Sequence, residues 1–185
     1  MKEFIDEYLE GLFACLKGMD YDAIEAAIDE LIAAGKNGQK VFIFGNGGSA
    51  ATASHFANDL IYKASESNDF EFKAFSLTDN VPVITAVAND SDYEDIFVSQ
   101  IRNVIEENDI AIGLSGSGNS ENVLKALRFA GERGALTIGF TGEDGGKLKD
   151  IVDICVGPTD EHYGRVEDAH LFLEHLITEY IRENS

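Results

Sequence analysis

Apolar residues between Phe4 and about Ala34 recur at helical spacing: Phe4, Ile5, Tyr8, Leu9, Leu12, Phe13 and Leu16, then Ile24, Ala27, Ile28, Leu31 and Ile32. An interruption at Gly18-Met19-Asp20 divides them into two helices, with Asp20 placed to cap the second. The apolar stripe of the first is wide for a helix that covers one sheet. It is expected to pack either in the chain's own core or against a neighbouring subunit. GKNG at 35–38 closes this helical segment.

Beyond Lys40 the pattern changes to short β-rich apolar runs that alternate with helical stretches: VFIF at 41–44, FKAFSL at 72–77, IAIGL at 110–114, ALTIGF at 135–140 and IVDICV at 151–156. Continuous apolar strands of this kind signal a parallel sheet covered on both faces. The expected fold is one α/β domain over residues 1–185, a three-layer sandwich with a five-stranded parallel sheet, preceded by the N-terminal helices of residues 1–36. EDGG at 143–146 reads as a loop inside that fold, and with Pro only at 82 and 158 no stretch resembles a flexible linker.

Composition narrows the partners. The chain carries 14 Lys+Arg against 34 Asp+Glu, a formal net charge of −20 at pH 7. A nucleic-acid partner needs a dense basic patch, which the sequence lacks, and anionic membranes are disfavoured for the same reason. No apolar run approaches the roughly 18–20 residues of a membrane span. The acidic N-terminus does not suit a signal peptide, so a cytoplasmic protein is expected. Cys15 and Cys155 form no metal-binding spacing and read as small apolar residues in a reducing compartment.

Strand, Gly/Ser loop and helix occur twice, at VFIFGNGGSAATASHF (41–56) and IAIGLSGSGNSENVLKAL (110–127). In a parallel sheet both loops emerge at the carboxyl ends of the strands, where ligands bind. In the second loop Ser115, Ser117 and Ser120 offer hydroxyls and Gly116 and Gly118 allow close backbone approach. Asn119 or Ser120 then caps a helix whose free N–H groups point the same way, which describes a phosphate cradle. A Gly/Ser turn that merely caps a helix accounts equally well for one such loop, but less well for a pair. The first loop also fits G-x-G-x-x-A, yet the acidic residue a dinucleotide site needs about 20 positions on is misplaced.

His55 and Asp59 are four apart and share a helix face. RVEDAHLFLEHL near the C-terminus puts Glu167 and His175 eight apart, with His170 and Glu174 as an alternative pair. A solvated acidic helix accounts for any one of these residues alone. Together, two histidines and two carboxylates can hold a divalent ion such as zinc where the two helices meet.

GNGGSAATASHFANDL (45–60), Asn89-Asp90 followed by YEDIF (93–97), SGSGNSENVLKAL (115–127), TGEDGG (141–146) and RVEDAHLFLEH (165–175) together resemble the sugar isomerase (SIS) domain of phosphoheptose isomerases. The resemblance runs over residues 1–183, with the blocks in the family's order. It implies a five-stranded SIS sandwich, a homotetramer, and conversion of sedoheptulose 7-phosphate to D-glycero-D-manno-heptose 7-phosphate through an enediol(ate), for surface-glycan precursors. It implies substrate contacts at Asn46, Gly47, Gly48, Ser49, Asp59, Lys63, Asn89, Asp90, Ser115, Gly116, Ser117, Ser120 and Glu167. It also implies one zinc ion per subunit on His55, Asp59, Glu167 and His175, with Asp59 and His175 as the acid/base pair.

The chain departs from the family where it usually has Glu (Asp59), Gln (Glu167), Arg (Lys63), Thr (Gly116) and Asp (Gly164). Asp59 keeps the charge but withdraws it by about one methylene. Glu167 adds a negative ligand, and Lys63 loses the forked grip of Arg on an oxyanion. The alternative function is a non-catalytic SIS-domain protein that senses a sugar phosphate or binds a protein partner, such as those that associate with the replication initiator. That group lacks the histidine at position 175, so His175 favours an enzyme.

Overall fold

The computed structural model describes residues 1–66, 68–142 and 144–185. Two helices, α1 (Lys2–Lys17) and α2 (Tyr21–Asn37), precede strand β1 (Lys40–Gly45). The Asp20 carboxylate caps α2, accepting from the Asp22 and Ala23 N–H groups at 3.0 and 3.2 Å. Gly38 ends the helix in the left-handed region at φ 68°. Helix α3 (Gly48–Asp59) follows β1 and continues into a π-helical turn, Leu60–Ala64, before β2 (Lys73–Ser76). Then come α4 (Val81–Asp90), the short α5 (Val98–Ile101), β3 (Ile110–Ser115), α6 (Glu121–Glu132), β4 (Leu136–Thr141), β5 (Ile154–Val156) and the long α7 (Tyr163–Asn184).

The five strands form one parallel sheet in the order β2-β1-β3-β4-β5. Successive side chains of a strand point to opposite faces, so Val41 and Ile43 enter one core while Phe42 and Phe44 enter the other. The first core is closed by α2, α3 and α7 through residues such as Leu31, Phe56 and Ile177, and the second by α5 and α6 through Ile101, Val123 and Leu127. Burial on both faces is why the strands read as continuous apolar runs rather than alternating ones.

Strand β2 lies on one side of β1 and β3 on the other. The loops leaving β1 and β3 therefore diverge, one to α3 on the first face and one to α6 on the second. The crevice between them is the topological switch point at which open α/β sheets bind ligands.

The expected strands are all present, but two are shorter than the apolar runs suggest. FKAFSL contributes Lys73–Ser76 at one edge of the sheet, and IVDICV only Ile154–Val156, because a 3₁₀ turn at Leu148–Asp150 precedes it. Of the EDGG loop, Glu143 lies outside the described residues. Helix α1 rests on α7 and buries only Cys15. Among the described residues no helix is long and apolar enough to cross a membrane.

Candidate active site

The β3 loop is tied into a fixed shape. Ser115 Oγ donates to Ser120 Oγ at 3.0 Å, the Gly118 N–H donates to the Ser115 carbonyl at 2.9 Å, and Ser117 Oγ accepts from the Asn119 N–H at 3.3 Å. Gly118 sits at φ 63°, and a Cβ there would collide with the Gly145 carbonyl, so no other residue fits. The neighbouring loop braces it through Gly142 N–H to Gly116 O and Leu148 N–H to Gly118 O, both 3.0 Å. Ser120 is the N-cap of α6 but makes no side-chain cap bond. The N–H groups of Glu121 and Asn122 have no upstream carbonyl within the helix, an arrangement that suits an anion.

The β1 loop is joined to it. Asn46 and Asn122 exchange amide hydrogen bonds at 2.9 and 2.8 Å, and the Tyr93 hydroxyl donates to Asn46 Oδ1 at 3.0 Å. Asn46 therefore bridges the two loops. Sequence reasoning did not single out Asn122 or Tyr93, whose partners lie far away in the chain. Gly47 and Gly48 are exposed at the start of α3, while Ser49 is buried under Gly45. Asn89 and Asp90 end α4 on the surface and bond to each other at 2.7 Å. Gly116 lies against the ring of Tyr163, since a Cβ there would stand 3.1 Å from Tyr163 Cε2.

Helices α3 and α7 pack side by side below these loops. At the loop level Glu167 faces Gly48, where a Cβ would lie 2.5 Å from its Oε1. Seven residues further along each helix, about 10 Å at 1.5 Å per residue, four side chains converge. His55 and Asp59 from α3 and Glu174 and His175 from α7 each offer a donor atom, all within 4.8 Å of one another. Asp59 and Glu174 are fully buried, while the two histidines are partly open to solvent and meet edge to face at 4.9 Å.

Glu167, expected as a metal ligand, lies outside this cluster, and the second α7 residue within it is Glu174. The cause is the docking of α7 on α3: residue 167 falls level with Gly48, and residue 174 with His55. His170, of the alternative pair, is buried elsewhere, its Nε2 3.0 Å from the Thr141 carbonyl and its ring against Phe140. Lys63 stands at the cluster, where the π-helical turn brings its Nζ 2.5 Å from Asp59 Oδ2. That bond raises the pKa of the lysine above its ordinary value. Burial, and then the charge of Asp59, push the Glu174 carboxyl up to about 8.

The donor set suits a divalent ion. Both carboxylate oxygens of Glu174 are buried without a hydrogen-bond partner among the described residues, and two imidazoles stand beside them. A tetrahedral zinc ion needs donor atoms roughly 3.3 Å apart, so shifts of about an ångström would close the set.

A family model of the SIS domain matches residues 5–142. The phosphoheptose isomerase of Geobacter metallireducens is 37% identical over 162 residues, covering 86% of this chain and 84% of its own. That of Clostridium acetobutylicum is 36% identical over 188 residues, covering 99% and 95%. The solved phosphoheptose isomerase structures from Neisseria gonorrhoeae and Francisella tularensis superpose with TM-scores of 0.89 and 0.90 at 28% identity, over 97% and 98% of both chains. The chain belongs to the phosphoheptose isomerase family of SIS-domain proteins.

Proposed function

We propose that the protein converts sedoheptulose 7-phosphate to D-glycero-D-manno-heptose 7-phosphate through an enediolate. The observation that carries this reading is an anion cradle on the β3 loop at the switch point, tied through Asn46 and Asn122 to the β1 loop, from whose Gly48 a histidine–carboxylate cluster lies about 10 Å along α3. The cradle of Ser115, Gly116, Ser117 and Ser120 takes the phosphate, so binding energy remote from the reaction orients the sugar. Glu167, beside Gly48, would accept hydrogen bonds from sugar hydroxyls.

At the reacting end Asp59 takes a proton from C1 of the ketose. The electron pair released forms the C1–C2 double bond, with negative charge on O2. The same carboxyl returns the proton to C2, and the O1 hydroxyl proton passes to O2, so the atoms balance with no other reactant. His175 serves the oxygen side, by moving that proton or as a metal ligand. Zinc held at this cluster by His55, His175 and a carboxylate would supply Lewis acidity toward the carbonyl. Lys63 neutralises part of the cluster's negative charge. We also propose a homotetramer, supported by the exposed apolar face of α1, and a cytoplasmic role in making surface-glycan precursors.

Asp59→Asn and His175→Ala are each expected to cut turnover of sedoheptulose 7-phosphate by about 10²- to 10⁴-fold, with the rise in melting temperature on adding phosphate retained. Ligand-induced stabilisation of the wild-type protein without turnover, across a panel of ketose phosphates with and without zinc, would identify a sensor instead.

A further inference from the structure

The two carboxylates of the cluster are held in opposite ways. Asp59 has both oxygens engaged, Oδ1 accepting from Asn58 Nδ2 at 2.9 Å and Oδ2 from Lys63 Nζ at 2.5 Å. Glu174 is just as buried, yet neither of its oxygens has a hydrogen-bond partner among the described residues. What faces it are two ring nitrogens, His55 Nδ1 at 3.2 Å and His175 Nε2 at 3.4 Å, both closest to the same oxygen, Oε1. The nearest approach of His55 to Asp59 is longer, 3.7 Å from Nε2 to Oδ2.

A buried carboxylate with no donor is unfavourable on its own and marks a partner still to be supplied. A carboxylate already satisfied by an amide and an ammonium has no such need. We infer that the two carboxylates divide the work: Glu174 joins His55 and His175 in holding the metal ion, and Asp59, kept apart by Lys63 and Asn58, is the proton-transferring base. This rests on reading the cluster as a metal centre.

Two chemical arguments support the division. Two histidines and one carboxylate make up a donor set of catalytic zinc sites, whereas four protein ligands are typical of structural ones. A base must also keep its affinity for the substrate proton, which ligation to a divalent cation would lower. Lys63 holds only Oδ2, and Asn58 is a neutral donor that a small side-chain rotation releases.

The test is a double dissociation on the full-length protein, stripped of metal and titrated with zinc against a chromogenic chelator. Glu174→Gln, nearly isosteric, is expected to weaken zinc affinity by about 100-fold or more, at least the range seen when supporting groups of metal sites are removed. Asp59→Asn is expected to stay within about threefold of wild type in zinc affinity while losing activity by about 10²- to 10⁴-fold. Cobalt(II) substitution gives a readout independent of turnover: the visible spectrum should change in Glu174→Gln and persist in Asp59→Asn. Circular dichroism of each metal-free variant checks folding, and Glu174→Asp, with the carboxylate kept but retracted, is expected to bind zinc at intermediate strength if Glu174→Gln is unfolded. Wild-type zinc affinity in Glu174→Gln, or equal loss of zinc in Asp59→Asn, would overturn the division while leaving the metal centre intact. A wild-type protein that takes up no divalent ion ends both readings.

Discussion

Glu174 and His170 stand one turn apart on α7 and are perturbed in opposite directions. Burial is the first cause for both: it raises the Glu174 carboxyl from 4.5 to about 8, with the charge of Asp59 adding and Lys63 opposing, and lowers the His170 imidazole from 6.5 to about 4 against its bond to the Thr141 carbonyl. His55 and His175 also face Glu174, and the ring of Phe140 faces His170. The metal-free fold therefore favours a protonated Glu174. That contribution is full below pH 4.5, and stability is lost as pH rises through about 8. It favours a neutral His170 in the same way, so that contribution is full above pH 6.5 and is lost as pH falls through about 4. Melting temperature of the metal-free protein should thus fall on both sides of a maximum between pH 4.5 and 6.5. Glu174→Gln should flatten the alkaline limb and leave the acid limb, and equal alkaline slopes in the two proteins would reject this account of Glu174.

Between elements, the Asn46–Asn122 amide pair fixes the distance between the β1 and β3 loops, with Tyr93 holding Asn46 from a third segment. Asn122→Ala removes both amide hydrogen bonds to the half-buried Asn46, at a cost of about 1–3 kcal/mol for the pair. Its expected kinetic effect is a raised KM with a smaller change in kcat, since phosphate anchoring loosens before the cluster is touched. A steady-state assay showing the reverse split would place Asn122 at the chemistry. The elements themselves differ in how legible they were. Strands and both Gly/Ser loops could be read because burial on two faces gives continuous apolar runs, and because each loop carries its own glycines and caps. The strand order could not be read, because it depends on which long-range pairs form. Helix α4 buries none of its residues and so leaves no periodic core signal, and the π-helical turn that aims Lys63 at Asp59 has no sequence mark. That Glu174 rather than Glu167 stands beside His55 has a geometric origin. Seven residues are nearly two helical turns, so positions 167 and 174 lie on one stripe of α7, and only the docking of α3 decides which of them meets His55.

At the scale of the molecule, a net charge of −20 has to be reconciled with binding an anion and with self-association. The first is resolved locally, since backbone N–H groups and serine hydroxyls hold a phosphate without any basic surface. The second sets two forces against each other. Helix α1 exposes Phe4, Leu9 and Phe13 at 64%, 56% and 60%, with Ile5 beside them, a contiguous apolar stripe of the kind that monomers rarely leave in water. Assembly of four copies would bring together four times −20, or −80 charges, whose repulsion salt screens over about 10 Å at 0.1 M. Burial of the α1 stripe is nearly salt-independent by comparison. The proposed tetramer should therefore tighten as ionic strength rises from about 20 mM to about 0.5 M, the opposite of an assembly held by ion pairs. Sedimentation velocity reads this directly. Leu9→Glu should dissociate the assembly at every salt concentration while the subunit stays folded, because the side chain lies on the surface of the single chain. A wild-type protein that sediments as a monomer throughout, or a tetramer that loosens as salt is added, would show that this stripe is not what holds copies together.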